Sequence, residues 1–248
     1  MAEAFQPIAI QPPSDNRLLF ASRCLFDLQL LTIRQFLQRE LARCQGSLLD
    51  VGAGQAPWRE LLDSQVNYVA IDTASAAEFG MQRKAGIVYY DGVTIPFPDA
   101  SFDHLLCSEV LEHVPDEHGF MTEITRVLRP GGTLILTVPW SARVHHLPHD
   151  YRRLTRYGLK ALLESTGYGN IRIEERGTDV AVLANKSIVM LIRLLRPESV
   201  LKLLWCWPLA LLLAPVAAGY LLAAHLALKF GNGVREDPLG YGVVAVKE

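Results

Sequence analysis

The sequence predicts an α/β protein whose sheet is largely parallel and carries helices on both faces. Short apolar runs rich in β-branched residues alternate with segments whose apolar residues recur at helical spacing. A glycine-spaced turn, DVGAGQ, follows the first run, and acidic residues follow several others. Ligands of such sheets bind beyond the carboxyl ends of the strands, so these residues predict one shared crevice.

The elements of the first half follow in order along the chain. Residues 16–45 place apolar side chains on one stripe and predict one or two helices. After them we expect the strand SLLDV, the helix PWRELLDS with Pro57 near its start, the strand YVAID, and the strand IVYYDG, which ends at Asp91.

The second half continues the alternation. We expect the strand SFDHLLCS, the helix MTEITRVL ended by the turn RPGG, and the strand TLILTVP. The next helix, TRYGLKALLESTGY, has Thr155 as its N-cap and ends at Gly167. The strands IRIEER and GYGVVAVK complete the predicted sheet.

The bulk composition argues against several classes of protein. The 248 residues carry 24 basic and 26 acidic side chains, so no overall field attracts nucleic acid. Four scattered cysteines without a CxxC pair argue against a disulfide framework or a zinc site and fit a reducing compartment. The stretch MAEAFQPIAIQPPSD lacks a basic region followed by an apolar run, so we interpret it as a flexible leader and not as a signal peptide.

Several strand ends carry residues suited to a nucleotide-like ligand. Gly52 and Gly54 allow a tight turn and close approach of a ligand. Asp72, 22 positions after Asp50, could accept both hydroxyls of a ribose. This pair alone also fits a nicotinamide dinucleotide site, although Ala56 and Pro57 stand where the third glycine of that pattern would be.

Two longer segments favour one family. DGVTIPFPDASFDHLLCSEVLEHVPD, followed by LRPGGTLILTVPW, resembles the class I S-adenosylmethionine-dependent methyltransferases, in particular those that act on small molecules, lipids or glycans. The resemblance covers residues from about 47 to 140, together with the final strand. It implies a Rossmann-like, doubly wound sheet with an antiparallel last strand, and S-adenosylmethionine as cofactor.

The resemblance also implies roles for the residues at the strand ends. Asp50, Gly52, Ala53 and Gly54 of the first loop would lie near the methionine part of the cofactor. Asp72 and Thr73 would hold the ribose, and Asp91 and Gly92 would meet the adenine. Ser108 and Glu109 would lie near the sulfonium.

Candidate catalytic residues lie in SARVHHLPHDYRRLTRYG, after the fifth strand. They are His145, His146, His149, Asp150, Tyr151 and Arg153. A histidine could take the proton of an acceptor hydroxyl, and an arginine could hold a carboxylate or phosphate. The alternative is that the Asp–Arg pair only braces the loop. We interpret His113 as a residue that packs and hydrogen-bonds at the start of a loop, with a place facing the crevice as the alternative. We expect no metal site because no cysteine or fourth ligand accompanies the loop histidines.

An apolar segment separates the last two strands. About 60 residues join IRIEER to GYGVVAVK, far more than an ordinary loop, and Leu203 to Leu228 contains no Asp, Glu, Lys or Arg. Two strands of one sheet flank the segment, so it must leave and return on the same side. We predict a re-entrant hairpin bent near Pro208 or Pro215, or helices in the membrane interface. The alternative is a helical pair buried against the core or across a homodimer.

The sequence thus predicts four segments and one leading function. The segments are a leader with a helical lid (1–45), the Rossmann-like cofactor core (46–180), the apolar insertion (181–235) and the last core strand (236–248). The predicted function is methyl transfer to an oxygen or nitrogen of a small amphiphilic, lipid or lipid-linked glycan acceptor, at the cytoplasmic side of a membrane. A nicotinamide-dependent oxidoreductase and a non-catalytic membrane adaptor remain as alternatives.

Overall fold

The computed structural model describes residues 8–197 and 199–248; the first part of the predicted leader lies outside these residues. The strands are β1 Ser47–Val51, β2 Asn67–Thr73, β3 Ile87–Tyr90, β4 Phe102–Ser108, β5 Leu128–Pro139, β6 Tyr168–Arg176 and β7 Gly240–Lys247. They form one seven-stranded sheet in the order β3-β2-β1-β4-β5-β7-β6. The pairs from β3 to β5 are parallel, and β7 is antiparallel to both neighbours. The predicted fold class is confirmed.

The helices are α1 Arg17–Phe26, α2 Leu28–Leu41, α3 Glu117–Val127, α4 Arg156–Ser165, α5 Asp179–Leu195 and α6 Val200–Phe230. The apolar stripe near the N-terminus divides into two helices at Asp27. This residue ends α1 and caps α2, because its Oδ1 accepts a hydrogen bond from the Leu30 backbone N–H at 3.2 Å. The predicted cap of α4 is also present, since the Thr155 side chain accepts from the Gly158 N–H.

Each face of the sheet is covered by a different pair of helices. Side chains alternate along a strand, so Leu48 packs with the α1 and α2 side, and Leu49 packs with the α3 and α4 side. Both leucines are fully buried. The two layers leave the carboxyl ends of β1, β4 and β5 at one edge, where the functional residues were expected.

Two element predictions need correction in this part of the chain. The segment PWRELLDS forms only a 3₁₀ turn, Arg59–Leu61, and not a longer helix. Trp58 is buried, and Leu61 and Leu62 pack against the same cluster, so a compact turn already satisfies its apolar side chains. The segment RPGG is not a separate turn either, because β5 begins at Leu128 and includes it, with an irregular register opposite β4.

The apolar insertion is an antiparallel pair of helices. After α6 the Val234 N–H donates to the Asp179 side chain at the start of α5, so the segment returns to its point of departure. The predicted bend at Pro208 or Pro215 is wrong, because α6 continues through both prolines. A proline removes one hydrogen bond from a helix, but packing against a neighbouring helix can hold the turns on either side together. The chain instead reverses between Leu195 and Val200.

Candidate active site

A cavity of about 680 Å³ opens at the carboxyl ends of β1, β4 and β5. One side is formed by the loop after β1 and by Ser108 and Glu109. Another side is formed by the loop after β5, and α1 and α5 close the cavity opposite the sheet. The cavity therefore joins the predicted cofactor loop, the predicted acceptor loop and the apolar helical pair.

The loop after β1 has the backbone geometry that its glycines predicted. Gly52 has φ +73° and Gly54 has φ +56°, values at which a side chain is strained. A Cβ on Gly52 would lie 2.4 Å from a methyl carbon of Val110, so this position also lacks space for a side chain. Gly52, Ala53 and Gly54 all line the cavity. Ala56, at the position of the missing third glycine, also adopts a left-handed conformation, with φ +53°.

Asp50 is the penultimate residue of β1; it lines the cavity and is almost fully buried. The Tyr68 hydroxyl donates a hydrogen bond of 2.6 Å to its carboxylate. Burial raises the pKa of Asp50 to about 7, although the bond from Tyr68 opposes this shift. A cationic ligand would favour the ionised form of this carboxylate.

The carboxylate of Asp72 braces the first loop and does not line the cavity. Its oxygens accept from the Gly54 N–H at 2.8 Å and from the Thr73 N–H at 2.7 Å. Asp91 is exposed at the end of β3, where its Oδ1 accepts from two backbone N–H groups at 2.8 Å. Thr73, Asp91 and Gly92 likewise lie outside the cavity wall. The structure thus brings together the predicted residues of β1 and β4, but not those of β2 and β3.

Glu109 is held at the cavity by a buried arginine. Its Oε1 accepts from Arg176 Nη2 at 2.8 Å, and the same guanidinium group donates to the Val138 carbonyl oxygen. Glu109 has φ +54°, which is unusual for a residue with a side chain. The preceding Ser108 shares a hydrogen bond of 2.9 Å with the Thr137 hydroxyl.

The loop after β5 places two of its three histidines at the cavity. His145 and His146 line it, and burial lowers the pKa of both, that of His146 to about 4. His149 lies outside the cavity wall, with its Nε2 3.3 Å from a carboxylate oxygen of Glu78. The Tyr151 hydroxyl is 3.3 Å from His149 Nδ1 and belongs to the same outer group.

Asp150 and Arg153 brace this loop. The guanidinium of Arg153 donates to both Asp150 oxygens at 2.5 and 2.8 Å, and the His145 N–H donates to the same carboxylate at 2.9 Å. Burial opposes ionisation of Asp150, but these bonds hold its pKa below the usual value. The pair fixes the backbone of His145 and does not line the cavity itself.

His113 lines the cavity, which is the alternative to a purely packing role. It follows β4, and its Nδ1 lies 2.7 Å from the His149 carbonyl oxygen. Burial lowers the pKa of His113 to about 4. Glu112 beside it is buried, and burial holds the pKa of its carboxyl well above the usual value. The position of LEH just after the SEV step was the one sequence signal that could have indicated this role.

The residues at the first loop fit the methionine end of S-adenosylmethionine. Left-handed glycines give backbone access, and the carboxyl groups of Asp50 and Glu109 face a cavity that would receive an ammonium and a sulfonium group. Opposite charges of this kind attract strongly where water is excluded. The residues predicted for the adenosine end lie outside the cavity wall, and Asp72 fixes the first loop from behind.

Comparison with known proteins identifies the central part of the chain. Residues 49–136 match the family model described as a methyltransferase domain. A probable S-adenosylmethionine-dependent methyltransferase of Mycolicibacterium smegmatis is 30% identical over 142 residues, which cover 53% of this chain and 55% of that protein. An O-methyltransferase of Penicillium expansum is 33% identical over 108 residues, 39% of each protein. The chain thus spans about half or less of the length of these curated relatives.

The fold agrees with this match. The solved structure of a SAM dependent methyltransferase from Archaeoglobus fulgidus aligns with a TM-score of 0.54 at 16% identity, over 94% of this chain and 100% of that one. At this identity the likeness shows the fold, and the family model matches the central part of the chain, residues 49–136. Residues 49–136 thus match a methyltransferase domain, and they lie in a fold that the chain shares with a solved S-adenosylmethionine-dependent methyltransferase.

Proposed function

We propose that this protein transfers a methyl group from S-adenosylmethionine to an oxygen or nitrogen of a small amphiphilic acceptor, a lipid or a lipid-linked glycan, at the cytoplasmic side of a membrane. An oxygen is the first choice, because the Penicillium expansum relative is an O-methyltransferase. The observation that carries the proposal is the single cavity shared by the first loop, the histidine loop and α5.

Bound cofactor would supply a methyl group already activated on a sulfonium. The chain's own tasks are then to align the acceptor and to accept its proton. As the C–S bond breaks and the O–CH₃ bond forms, the hydroxyl proton would pass to the histidine cluster, which we define as His113, His145 and His146. Burial keeps these imidazoles neutral and therefore able to accept it.

The wall opposite the sheet favours an acceptor with an apolar part. Ile188, Val189 and Ile192 of α5 line this side of the cavity. An apolar chain entering beside α5 would exchange contact with water for contact with these side chains. The arrangement supports an amphiphilic acceptor whose reacting end reaches the histidine cluster.

The outer surface of α6 supports access from a membrane. The helix is long and apolar enough to cross a membrane by length and composition. An 18-residue window of it has a mean hydropathy of 2.0, and 22% of that window is buried. Exposed leucines and tryptophans cover much of its surface, among them Leu204, Trp205, Trp207, Leu211 and Leu212. Since β6 and β7 are neighbours, the helical pair leaves and re-enters on one side, which favours a hairpin lying in the interface.

The test offers cofactor with a labelled methyl group and two pools of acceptors. These are the total lipid extract and the aqueous small-molecule extract of the cells that express the protein. We expect labelled product in the lipid pool, reduced when the His145→Gln variant replaces the wild type. Label found only in the aqueous pool would contradict the lipid acceptor. Binding of S-adenosylhomocysteine without transfer in either pool would favour the non-catalytic adaptor.

A further inference from the structure

Three imidazoles from two separate loops meet at the cavity. His113 follows β4, and His145 and His146 follow β5. One ring nitrogen of each lies within 4.8 Å of those of the other two. The ring centroids are separated by 4.8, 5.3 and 5.1 Å, which makes a nearly equilateral triangle. Three imidazoles arranged in this way can each offer a nitrogen to one small ion.

Two of these imidazoles have one ring nitrogen directed at a backbone carbonyl. His113 Nδ1 lies 2.7 Å from the His149 oxygen, and His145 Nδ1 lies 3.0 Å from the Arg143 oxygen. A carbonyl oxygen only accepts hydrogen bonds, so each Nδ1 carries the hydrogen and each Nε2 keeps its lone pair. Metal-binding histidines are usually oriented by this kind of outer hydrogen bond.

A buried carboxyl group without a hydrogen-bond partner lies beside the cluster. Glu112 is 3% exposed, and its Oε1 is 3.7 Å from His113 Nε2. Neither carboxylate oxygen has a hydrogen-bond partner among residues 8–197 and 199–248. A buried polar group in this state is costly unless a charge or a hydrogen bond compensates it. A cation held by the imidazoles would supply that charge.

We propose that His113, His145 and His146 bind one divalent transition-metal ion of the zinc type. Three imidazoles with an open fourth position are a donor set used by catalytic zinc sites. All three residues line the cavity, so the fourth position would face the space where the acceptor is expected. The sequence predicts no metal site when only the histidines of the loop after β5 are considered. His113, in the loop after β4, supplies a third ligand beside His145 and His146.

The metal site would also assist the proposed methyl transfer, and this role rests on the proposed function. A hydroxyl group bound at the fourth position would lose its proton more readily, because the ion stabilises the negative oxygen. The proton would then leave to water in the cavity, and the imidazoles would act as ligands and not as bases. The binding claim itself needs neither the cofactor nor the acceptor.

The test titrates untagged, chelator-treated full-length protein with Zn²⁺ by calorimetry and with Co²⁺ by visible absorption. We expect one ion per chain and the Co²⁺ absorption of a four-coordinate site. Mg²⁺ prefers oxygen ligands and should not compete. No stoichiometric Zn²⁺ binding by the wild type would overturn the proposal.

Variants locate the ion. His113→Gln, His145→Gln and His146→Gln should each weaken Zn²⁺ binding by about 100-fold or more, since each removes a ligand. The matched control is His149→Gln, which lies in the same loop but outside the cluster and should bind Zn²⁺ like the wild type. Glu112→Gln should weaken binding by about tenfold, because it removes only the compensating charge.

Cofactor binding separates this claim from the proposed function. Each variant should keep its affinity for S-adenosylhomocysteine, which shows that the fold and the first loop are intact. Zn²⁺ binding that survives all three histidine substitutions would overturn the metal site. If the wild type binds Zn²⁺ but does not bind S-adenosylhomocysteine, the proposed function is contradicted and the metal site is not.

Discussion

Individual residues around the cavity adopt backbone conformations that side chains disfavour. Besides Gly52 and Gly54, the non-glycine residues Ala56, Glu109 and His146 have φ between +52° and +54°. Such positions cost free energy and persist where the surroundings fix them. Glu109 is fixed by Arg176, which supports the view that this geometry serves the site.

Gly52→Ala should destabilise the protein by about 3 kcal/mol, since it combines left-handed strain with a clash. The added Cβ would lie 2.4 Å from Val110. The matched control is Gly131→Ala, because Gly131 has the same φ of +73° but nothing within 4 Å of the Cβ position. Its cost should be about 1 kcal/mol. Urea unfolding measures both, and equal losses would contradict the close packing of the first loop.

Asp50→Asn should reveal the raised pKa of Asp50. With a pKa of about 7 in the folded state, Asp50 stays protonated there while it ionises in the unfolded chain. The wild type should therefore lose stability relative to the variant as pH rises from about 4 to about 7, by at most about 4 kcal/mol, and the difference should level off above that. Urea unfolding of both proteins across this range measures it. A difference independent of pH would mean that burial does not raise this pKa.

At the residue scale, the sequence predicts which residues lie near the cavity better than it predicts their side-chain contacts. Asp50, Gly52, Ser108 and Glu109 lie within one or two residues of strand ends, so the positions of the strands bring them to the cavity. Asp72 also lies near a strand end, in β2, but the direction of its carboxylate depends on the Gly54 N–H, which no sequence spacing reveals. The role of His113 depends on a 3₁₀ turn after β4 that points its ring at another loop, a long-range fact that lies outside sequence periodicity.

At the level of elements, close packing of small residues, and not hydrophobic periodicity, determines which face of α6 is buried in the helical pair α5–α6. The face of α6 that is buried carries mostly small residues, namely Cys206, Ala210, Ala217, Leu221, Ala224 and Ala227. Small side chains allow two helix backbones to approach closely. The rest of α6 is apolar as well, so hydrophobic periodicity could predict a long apolar helix but not which face packs, nor where the chain turns.

Ala224→Leu should weaken the helical pair. Ala224 is fully buried in a cluster with Ala181 and Ala184 of α5, so added methyl groups have no space. We expect a loss of about 1–3 kcal/mol from overpacking. The neighbouring Ala223→Leu makes the same change on the exposed face and should stay within about 0.5 kcal/mol of the wild type. Thermal unfolding compares them, and equal effects would contradict the packing of this face.

Across the whole molecule, a cofactor-binding sheet and an apolar helical pair share one cavity. A Rossmann-like sheet with an antiparallel last strand was implied by the resemblance to known methyltransferases, and the structure has this sheet. The contribution of α5 to the cavity could not be predicted, because the insertion and the first loop are more than a hundred residues apart in sequence. The proposal of a membrane-bound acceptor rests on the cavity that the first loop and α5 share.

Flotation with lipid vesicles tests the membrane surface. The wild type should float with anionic vesicles, through the apolar surface of α6 and the basic side chains near the turn of the helical pair. Leu204→Glu combined with Leu211→Glu should abolish flotation, because both side chains are more than three quarters exposed and their replacement leaves the packed face intact. Val93→Glu with Tyr157→Glu changes equally exposed residues elsewhere and should float like the wild type.

Two outcomes would speak against the membrane. A wild type that stays soluble without detergent and does not float contradicts the proposal. If that soluble protein is also a dimer, and the Leu204→Glu, Leu211→Glu variant is a monomer, the surface of α6 joins two copies of the chain.

The most direct measurement is calorimetric titration of the purified protein with S-adenosylhomocysteine, and separately with NAD⁺. We predict micromolar binding of S-adenosylhomocysteine and none of NAD⁺. Asp72→Ala should weaken binding by about tenfold or more, since it releases the Gly54 N–H and loosens the first loop. The control is Asp63→Ala, an exposed aspartate between the 3₁₀ turn Arg59–Leu61 and β2, and this variant should bind S-adenosylhomocysteine like the wild type. Binding of NAD⁺ in place of S-adenosylhomocysteine, or of neither, would contradict the account.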